Sequence, residues 1–522
     1  MRRRSFVQAA ALLPVAGALG YPFWQNVIER AEAQDRPAGD RQGAAPPVPF
    51  DAYSVRQLAR ERAQKPFRAP DQKLPGQLEK LSYDDYRNIR FNGERAVWRG
   101  EDLPFQVQLM HRGFLFREKV DIYLVADGQA RPLAYSPDLF RFEHGVAAPD
   151  PKDAALGFSG FRLHAPMNSP DYFDEVAAFQ GASYFRAVAK GQVYGSSARG
   201  LSLKTGDPAG EEFPLFVAYW IERPRQGGDS IVLHALLDSQ SATAAFRFTI
   251  RPGQSTNMAI EMTLFPRVDI DQAGIGTLTS MFFFGPNDRD GVDDFRPMVC
   301  DAEALAISNG RGERLWRPLQ NPSRLEFSVF VDTNMRGFGL MQRQRSFFDY
   351  QDLEARYEKR PSVWVEPIGD WGQGAVHLIE IPTREEIHDN IVAFWRPKDP
   401  LRKGGEYSYT YRLHWGWDNP DPTRLARFGT TRTGRVGDSR LFVVDLVGET
   451  IAAGDMKALR AEVSTSAGTV RDVVLQPNAE IGGARLSFVL DPPQGEGTAE
   501  LRAQLMRDAQ VVSEVWVYRW RA

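Results

Sequence analysis

The sequence predicts an all-β protein in which a large antiparallel sandwich precedes a smaller one. Short runs of alternating apolar and polar residues recur from Ile89 to about Trp417, with few helical patterns between them. The 522 residues also include 45 glycines and 35 prolines, which favours many turns over long helices. A fixed repeat of about 20–50 residues is missing, which argues against a propeller or a solenoid.

The N-terminus has the pattern of an export signal. The run Arg3-Arg4-Ser5-Phe6-Val7 is similar to a twin-arginine motif, and the apolar run that follows is too short to span a membrane. Residues 1–33 are therefore predicted to be a signal peptide, cleaved after Ala31-Glu32-Ala33, and the mature protein is expected in the periplasm. The alternative is a short amphipathic anchor that is not cleaved. Residues 34–49, rich in Pro, Gly, Ala and Gln, are predicted to be a flexible leader.

Residues 50–417 are predicted to form the large unit. It opens with a helix between Phe50 and Lys65 that Pro66 ends, and Tyr83 begins a second short helix. Strands are then predicted at 105–109, 120–124, 215–221, 230–237, 244–250, 257–265, 325–331, 363–367 and 407–414.

Residues 418–437 are rich in turn residues and are predicted to be a linker. About six strands follow within residues 438–522, the size of an immunoglobulin-like sandwich. The Cys…Trp…Cys pattern of antibody domains is missing, so the likeness concerns the architecture only.

A polar loop between two strands of the large unit draws attention as a candidate site. Val376–Ile381 and Ile391–Trp395 have strand patterns, and residues 383–390 between them carry three carboxylates and a histidine. Loops held by strands often carry catalytic residues. The alternative is a solvated turn, because loops are commonly polar.

Composition excludes several other classes. A net charge of −3 does not suggest nucleic acid or an anionic membrane as a partner. Seven scattered histidines and the single Cys300 show no metal-ligand spacing, and phosphate-binding glycine loops are missing, so neither a metal nor a cofactor is predicted. One cysteine neither requires nor excludes an oxidising compartment. Oligomeric state is not predicted.

Eight collinear segments resemble one family, the osmoregulated periplasmic glucan biosynthesis proteins (OpgG/OpgD, MdoG), over a match from about Phe50 to the C-terminus. They are His111–Arg117, Gly181–Ala187, Ser197–Leu201, Leu236–Ser239, Trp316–Leu319, Gly337–Leu340, Arg360–Ser362 and Glu380–Thr383. The twin-arginine pattern makes the chain look closer to the D-type member. The resemblance implies a galactose-mutarotase-like β-sandwich followed by an immunoglobulin-like domain.

The resemblance also implies an activity, the hydrolysis of β-1,2-linked glucan with inversion, which needs one carboxylic acid and one carboxylate base. By motif, the acid falls on Asp389 and the base on Asp301, while His388 and Asn390 would orient or tune Asp389. The sequence departs from the family at Cys300-Asp301-Ala302-Glu303, where the family has His-Asp-Ser-Asp, and this bears on the rate and on the water path. Without the resemblance, Asp301 could simply cap a turn.

Aromatic residues are frequent between Phe347 and Trp417, and aromatic faces stack on pyranose rings. Tyr357, Trp364 and Trp371 are predicted to contact sugar, with Arg360 binding hydroxyls. Tyr357 lies in a polar stretch and Trp371 between glycines, so both rings are expected to be exposed.

Two other functions remain open. The protein could be a non-catalytic module that binds glucan and delivers it from a membrane glucan glucosyltransferase. It could also be a transglycosylase that branches the chain.

Overall fold

The computed structural model describes residues 46–153, 155–452, 456–495 and 497–521. The predicted signal peptide lies outside the described residues. Helices are few and short: α1 Ser54–Ala63, α2 Gly76–Glu79, α3 Tyr83–Arg87 and α4 Glu449–Ala452. Six 3₁₀ turns are Gly93–Arg95, Pro137–Leu139, Phe347–Asp349, Tyr357–Lys359, Met456–Ala458 and Ala479–Ile481. In the part of the chain that the structure describes, we find no helix with the length and apolar character needed to cross a membrane.

Strands make up most of the regular structure. In the large unit they are β1 Val48–Pro49, β2 Ile89–Phe91, β3 Gln106–His111, β4 Asp121–Ala126, β5 Gln129–Pro132, β6 Phe140–Phe142, β7 Phe158–Ser169, β8 Tyr172–Gln180, β9 Tyr184–Ala187, β10 Ser197–Arg199, β11 Ser202–Leu203, β12 Leu215–Glu222, β13 Ile231–Asp238, β14 Ala242–Arg251, β15 Thr256–Pro266, β16 Ala273–Ser280, β17 Phe282–Phe284, β18 Val299–Cys300, β19 Ala304–Ser308, β20 Arg314–Pro318, β21 Glu326–Thr333, β22 Gly337–Met341, β23 Ser362–Ile368, β24 Gln373–Glu380, β25 Ile391–Pro397 and β26 Tyr407–Gly416. In the C-terminal unit they are β27 Arg427–Val436, β28 Ser439–Val447, β29 Leu459–Thr465, β30 Thr469–Asn478, β31 Gly483–Asp491, β32 Thr498–Arg507, β33 Gln510–Val511 and β34 Val515–Arg521.

Two large sheets stack to form the core of the large unit. One runs in the order β1-β5-β4-β12-β13-β14-β15-β26-β23-β22-β19-β20, and the other β21-β24-β25-β16-β10-β9-β8-β7-β3. Aromatic rings fill the space between them: Phe179 of the second sheet lies 5.7 Å from Tyr219 and 5.5 Å from Phe248 of the first, between ring centroids. The predicted all-β sandwich class is confirmed.

The C-terminal unit has seven main strands in two sheets. One sheet has the order β27-β28-β31-β30, and the other contains β29, β32 and β34. This is the strand order of a constant-type immunoglobulin domain. Its second sheet continues the large sheet of the first unit, because β34 pairs in parallel with β20 through Leu315 with Val515 and Trp316 with Trp516.

Two predicted boundaries differ from the structure. The segment 418–437, expected to be a linker, contains β27, which pairs with β28 as the first strand of the C-terminal unit. Only two residues of β27 are buried, Phe428 and Thr431, so the apolar alternation that predicts a strand is weak. The leader also ends earlier than residue 49, because Val48 and Pro49 pair with Ala130 and Gln129.

Candidate active site

The outer face of the second sheet of the large unit, which contains β9 and β10, carries a group of polar side chains. On β9, Phe185 and Ala187 point into the core, so the half-buried Tyr184 and Arg186 point away from it. Arg199 of β10 pairs across from Tyr184, and its guanidinium lies 4.7 Å from the centroid of that ring. Arg199 also forms an ion pair with Glu211 at 2.6 Å.

The loop between β24 and β25 brings Asp389 to this face. Its end is fixed by the buried Asn390, whose amide oxygen accepts the Phe282 N–H at 2.8 Å. The amide nitrogen of Asn390 donates to the carbonyls of Phe282 at 2.9 Å and Ile381 at 3.1 Å. Asn390 therefore holds the backbone that presents Asp389, and His388 is half-buried beside it.

The charge of Asp389 acts on the pKa of Tyr184. Burial raises the pKa of Tyr184 to about 12, the positive charge of Arg199 opposes this, and the charges of Asp389 and Glu211 add to the rise. Asp389 acts in the same way on the pKa of Arg199. The charge of the predicted acid therefore acts on both Tyr184 and Arg199.

Asp301 follows β18 and is 1% exposed. Its Oδ1 accepts a hydrogen bond from Nη1 of Arg360, which is equally buried, whereas Oδ2 has no protein donor among the described residues. Burial raises the pKa of Asp301, the charges of Arg360 and Arg186 oppose the rise, and that of Glu386 adds to it. The Asp301 carboxylate is therefore within electrostatic reach of Arg186 and Glu386.

Both predicted carboxylates interact electrostatically with side chains of β9. Tyr184 and Arg186 are two positions apart on β9, and alternate residues of a strand are about 7 Å apart. The charge of Asp389 adds to the rise in the pKa of Tyr184, and the charge of Arg186 opposes the rise in the pKa of Asp301. The two carboxylates differ in their surroundings, because Asp301 is buried in an ion pair with Arg360, whereas Asp389 is half-buried on the loop between β24 and β25.

A third carboxylate belongs to this region. Glu386, on the same loop as Asp389, pairs with Arg296 at 2.8 Å, and its side chain is 11% exposed. Arg296 also binds Asp294 and Asp352 at 2.8 Å. Burial disfavours the charged form of Arg296, but the hydrogen bonds to these three carboxylates raise its pKa. The loop is therefore not a simple solvated turn, although Glu385 is exposed.

Tyr357 and Trp371 are not exposed as expected. Tyr357 is 2% exposed, because the 3₁₀ turn that it begins directs the ring inward against Tyr350, 6.0 Å away between centroids. The guanidinium of Arg360 lies 4.2 Å from the Tyr357 ring centroid. Trp371 is 8% exposed, since it packs edge-on against Tyr409 and Tyr411 and donates to the Thr410 carbonyl at 3.2 Å.

Trp364 is 2% exposed and belongs to the apolar cluster that joins the two units. The same cluster contains Trp316 and Met341 of the large unit and Trp516 of the C-terminal unit. Gly337 leaves room for the ring, because a Cβ there would meet Trp364 at 2.4 Å. A ring covered in this way has no free face for a pyranose, so the predicted sugar contact of Trp364 is incompatible with its position.

Sequence reasoning gave no site role to Tyr184, Arg186, Arg199, Glu211, Arg296 or Glu386. Tyr184, Arg186 and Arg199 lie in segments that carry the family resemblance, so the resemblance could have pointed to them. Among the residues that the structure describes, no group of three or more His, Cys, Asp or Glu residues could hold a metal ion.

The fold and this site define a two-unit β-sandwich protein with a carboxylate-lined face on its larger unit. The family model described as "Periplasmic glucan biosynthesis protein, MdoG" matches residues 50–520, and the chain belongs to this family.

Relatives named "Glucans biosynthesis protein G" support the assignment. The one from Rhodopseudomonas palustris (strain BisA53) is 56% identical over 100% of both chains. The one from Bradyrhizobium diazoefficiens is 54% identical over 94% of this chain and 97% of its own. The one from Vibrio cholerae (O395) is 51% identical over 90% of this chain and 87% of its own. The expected closeness to the D-type member is not supported, since these relatives are all named G.

Proposed function

We propose that this protein acts in the periplasm on β-1,2-linked glucan as an inverting glycoside hydrolase that trims or shapes the backbone. Membership of a periplasmic glucan biosynthesis family supports the compartment and the glucan. The observation that carries the activity is that Asp389 and Asp301 interact electrostatically with two neighbouring outward side chains of β9, Tyr184 and Arg186.

In this proposal each carboxylate keeps the task that the family motifs imply. An inverting enzyme protonates the leaving oxygen with one carboxyl group and activates a water with the other, across a gap of about 6.5–9.5 Å. Asp389 is the acid. Asp301 is the base: its Oδ2 has no protein donor among the described residues, and the charge of Arg360 opposes the rise in its pKa that burial causes.

Other groups of the face would hold the sugar. Arg186 and Tyr184 are half-buried and can donate hydrogen bonds to hydroxyl groups. In this proposal Arg360 does not bind sugar hydroxyl groups directly, because its side chain is 1% exposed. It holds Asp301 and packs on the Tyr357 ring instead.

The test measures reducing ends released from linear β-1,2-glucan by the purified protein. Asp389→Asn and Asp301→Asn should each lower the rate by about 10²–10⁴-fold and keep glucan binding, because an amide can neither deliver nor take the proton. Glu385→Gln is the matched control, since Glu385 is an exposed carboxylate on the same loop. Thermal unfolding of each variant tests whether the fold is kept.

A second candidate is the glucan-binding and delivery module. The buried ion pair of Asp301 and Arg360 favours it, because such a pair can also serve only to hold two segments together. A wild type that binds glucan and releases no reducing ends would support this candidate and contradict the hydrolase. Larger, branched products without net hydrolysis would indicate a transglycosylase.

A further inference from the structure

A four-residue segment, Gln342–Arg345, lies between the candidate site and the C-terminal unit; we call it the brace. The amide nitrogen of Gln342 donates to the carbonyl of Tyr357 at 2.7 Å. Arg345 donates to the carbonyl of Arg360 at 2.5 Å and to Oγ of Ser362 at 3.1 Å. The brace therefore holds the segment that carries Arg360.

The brace also holds the segment that carries Asp301. The Glu303 carboxylate accepts the backbone N–H groups of Arg343 and of Gln344, the latter at 3.2 Å. The Glu303 N–H donates to the Met341 carbonyl at 2.9 Å. Both partners of the Asp301–Arg360 ion pair are thus attached to the same short segment.

The C-terminal unit binds the brace at the side chain of Arg343. The Arg343 guanidinium binds both oxygens of Glu514, at 2.7 and 2.8 Å, and donates to the Phe428 carbonyl at 2.5 Å. It lies 3.6 Å from the ring centroid of Trp316. The Arg343 and Glu514 side chains are 10% and 7% exposed, so the contact is a largely buried, bidentate charge pair.

Glu514 is itself fixed to the framework of the C-terminal unit. Its N–H donates to the Ala426 carbonyl at 2.8 Å, and it directly precedes β34, the strand that joins the two units into one sheet. A movement of Glu514 relative to the large unit would therefore displace the brace.

We propose that Arg343 and Glu514 are positioning residues through which the C-terminal unit holds Asp301 and Arg360 in place for catalysis. The catalytic part of this inference rests on the proposed function. A displacement of a catalytic group by about 1 Å can cost about 10²-fold in rate, so a loosened brace lowers kcat while leaving sugar binding, and KM, nearly unchanged.

The test uses the full-length mature protein with Glu514→Gln, and with Arg343→Met plus Glu514→Leu, which removes both buried charges together. We expect kcat on linear β-1,2-glucan to fall by about 10–100-fold with little change in KM. Glu514→Asp, which keeps the charge, should recover part of the loss. Glu500→Gln is the control, since Glu500 also pairs with an arginine of the C-terminal unit, Arg519, on its exposed surface.

A second readout needs no activity. Cys300 is the single cysteine, is buried, and is adjacent to Asp301, so the rate at which a thiol reagent labels it under native conditions reports local opening of this segment. Labelling should accelerate about tenfold in Glu514→Gln and stay at the wild-type rate in Glu500→Gln.

The outcomes separate the two proposals. A wild type without cleavage contradicts the hydrolase, whereas faster Cys300 labelling in Glu514→Gln still supports the positioning contact. If the double variant folds, labels at the wild-type rate and keeps its kcat, the inference is overturned. A KM that rises with unchanged kcat would also overturn it.

Discussion

The sharpest test of the buried charges is Arg360→Gln. Asp301 and Arg360 are each 1% exposed, and the substitution leaves the Asp301 carboxylate without its ionic partner. Removing one partner of a buried pair costs about 3–5 kcal/mol of unfolding free energy. We expect the upper part of this range, because Arg360 also donates to the Ala355 carbonyl at 3.2 and 3.3 Å and stacks on Tyr357.

The loss of stability caused by Arg360→Gln should become larger as pH rises. Burial already raises the pKa of Asp301, and the charge of Arg360 is the largest opposing influence, so removing Arg360 raises it further. The folded variant then binds a proton more tightly than the unfolded chain does. Its stability is retained below the unfolded pKa of about 3.9 and is lost as pH rises toward the folded pKa, by about 1.4 kcal/mol for each pH unit between the two pKa values.

The assay is urea unfolding at about pH 5 and about pH 8, with the difference between wild type and variant compared at each pH. The difference should be larger at the higher pH. Asp301→Asn combined with Arg360→Gln should recover part of the loss, since no charge is then left buried. Arg402→Gln, which removes an exposed ion pair with Asp269, should leave the unfolding midpoint unchanged. A cost below about 1 kcal/mol, or one independent of pH, would refute the reasoning.

Two further predictions concern the junction and export. Trp364→Ala should cost about 3–5 kcal/mol of unfolding free energy and leave KM for glucan unchanged, because the ring fills the apolar junction between the units. A raised KM with stability retained would instead restore the predicted role of Trp364 in sugar binding. Replacing Arg3 and Arg4 by lysine should leave the precursor in the cytoplasm, as fractionation and immunoblotting would show, and mature protein in the periplasm would contradict a twin-arginine route.

The sequence by itself determined the fold class and the position of most strands. Its pattern predicts a strand over residues 257–265, and β15 runs Thr256–Pro266. The prediction succeeds because alternation of apolar and polar residues is a local consequence of strand geometry. Short α3 likewise begins at Tyr83, where the Ser82 side chain accepts the N–H of Asp85 in a capping box.

Only the tertiary structure decided which side chains are buried and which charged groups form ion pairs. Trp371 lies between glycines but packs on Tyr409 and Tyr411, and Glu386 finds its partner in Arg296, far away in the sequence. β27 is a strand because β28 pairs with it. Burial and ion pairing depend on which strands become neighbours, and a linear pattern records the alternation within a strand but not the identity of the strand beside it.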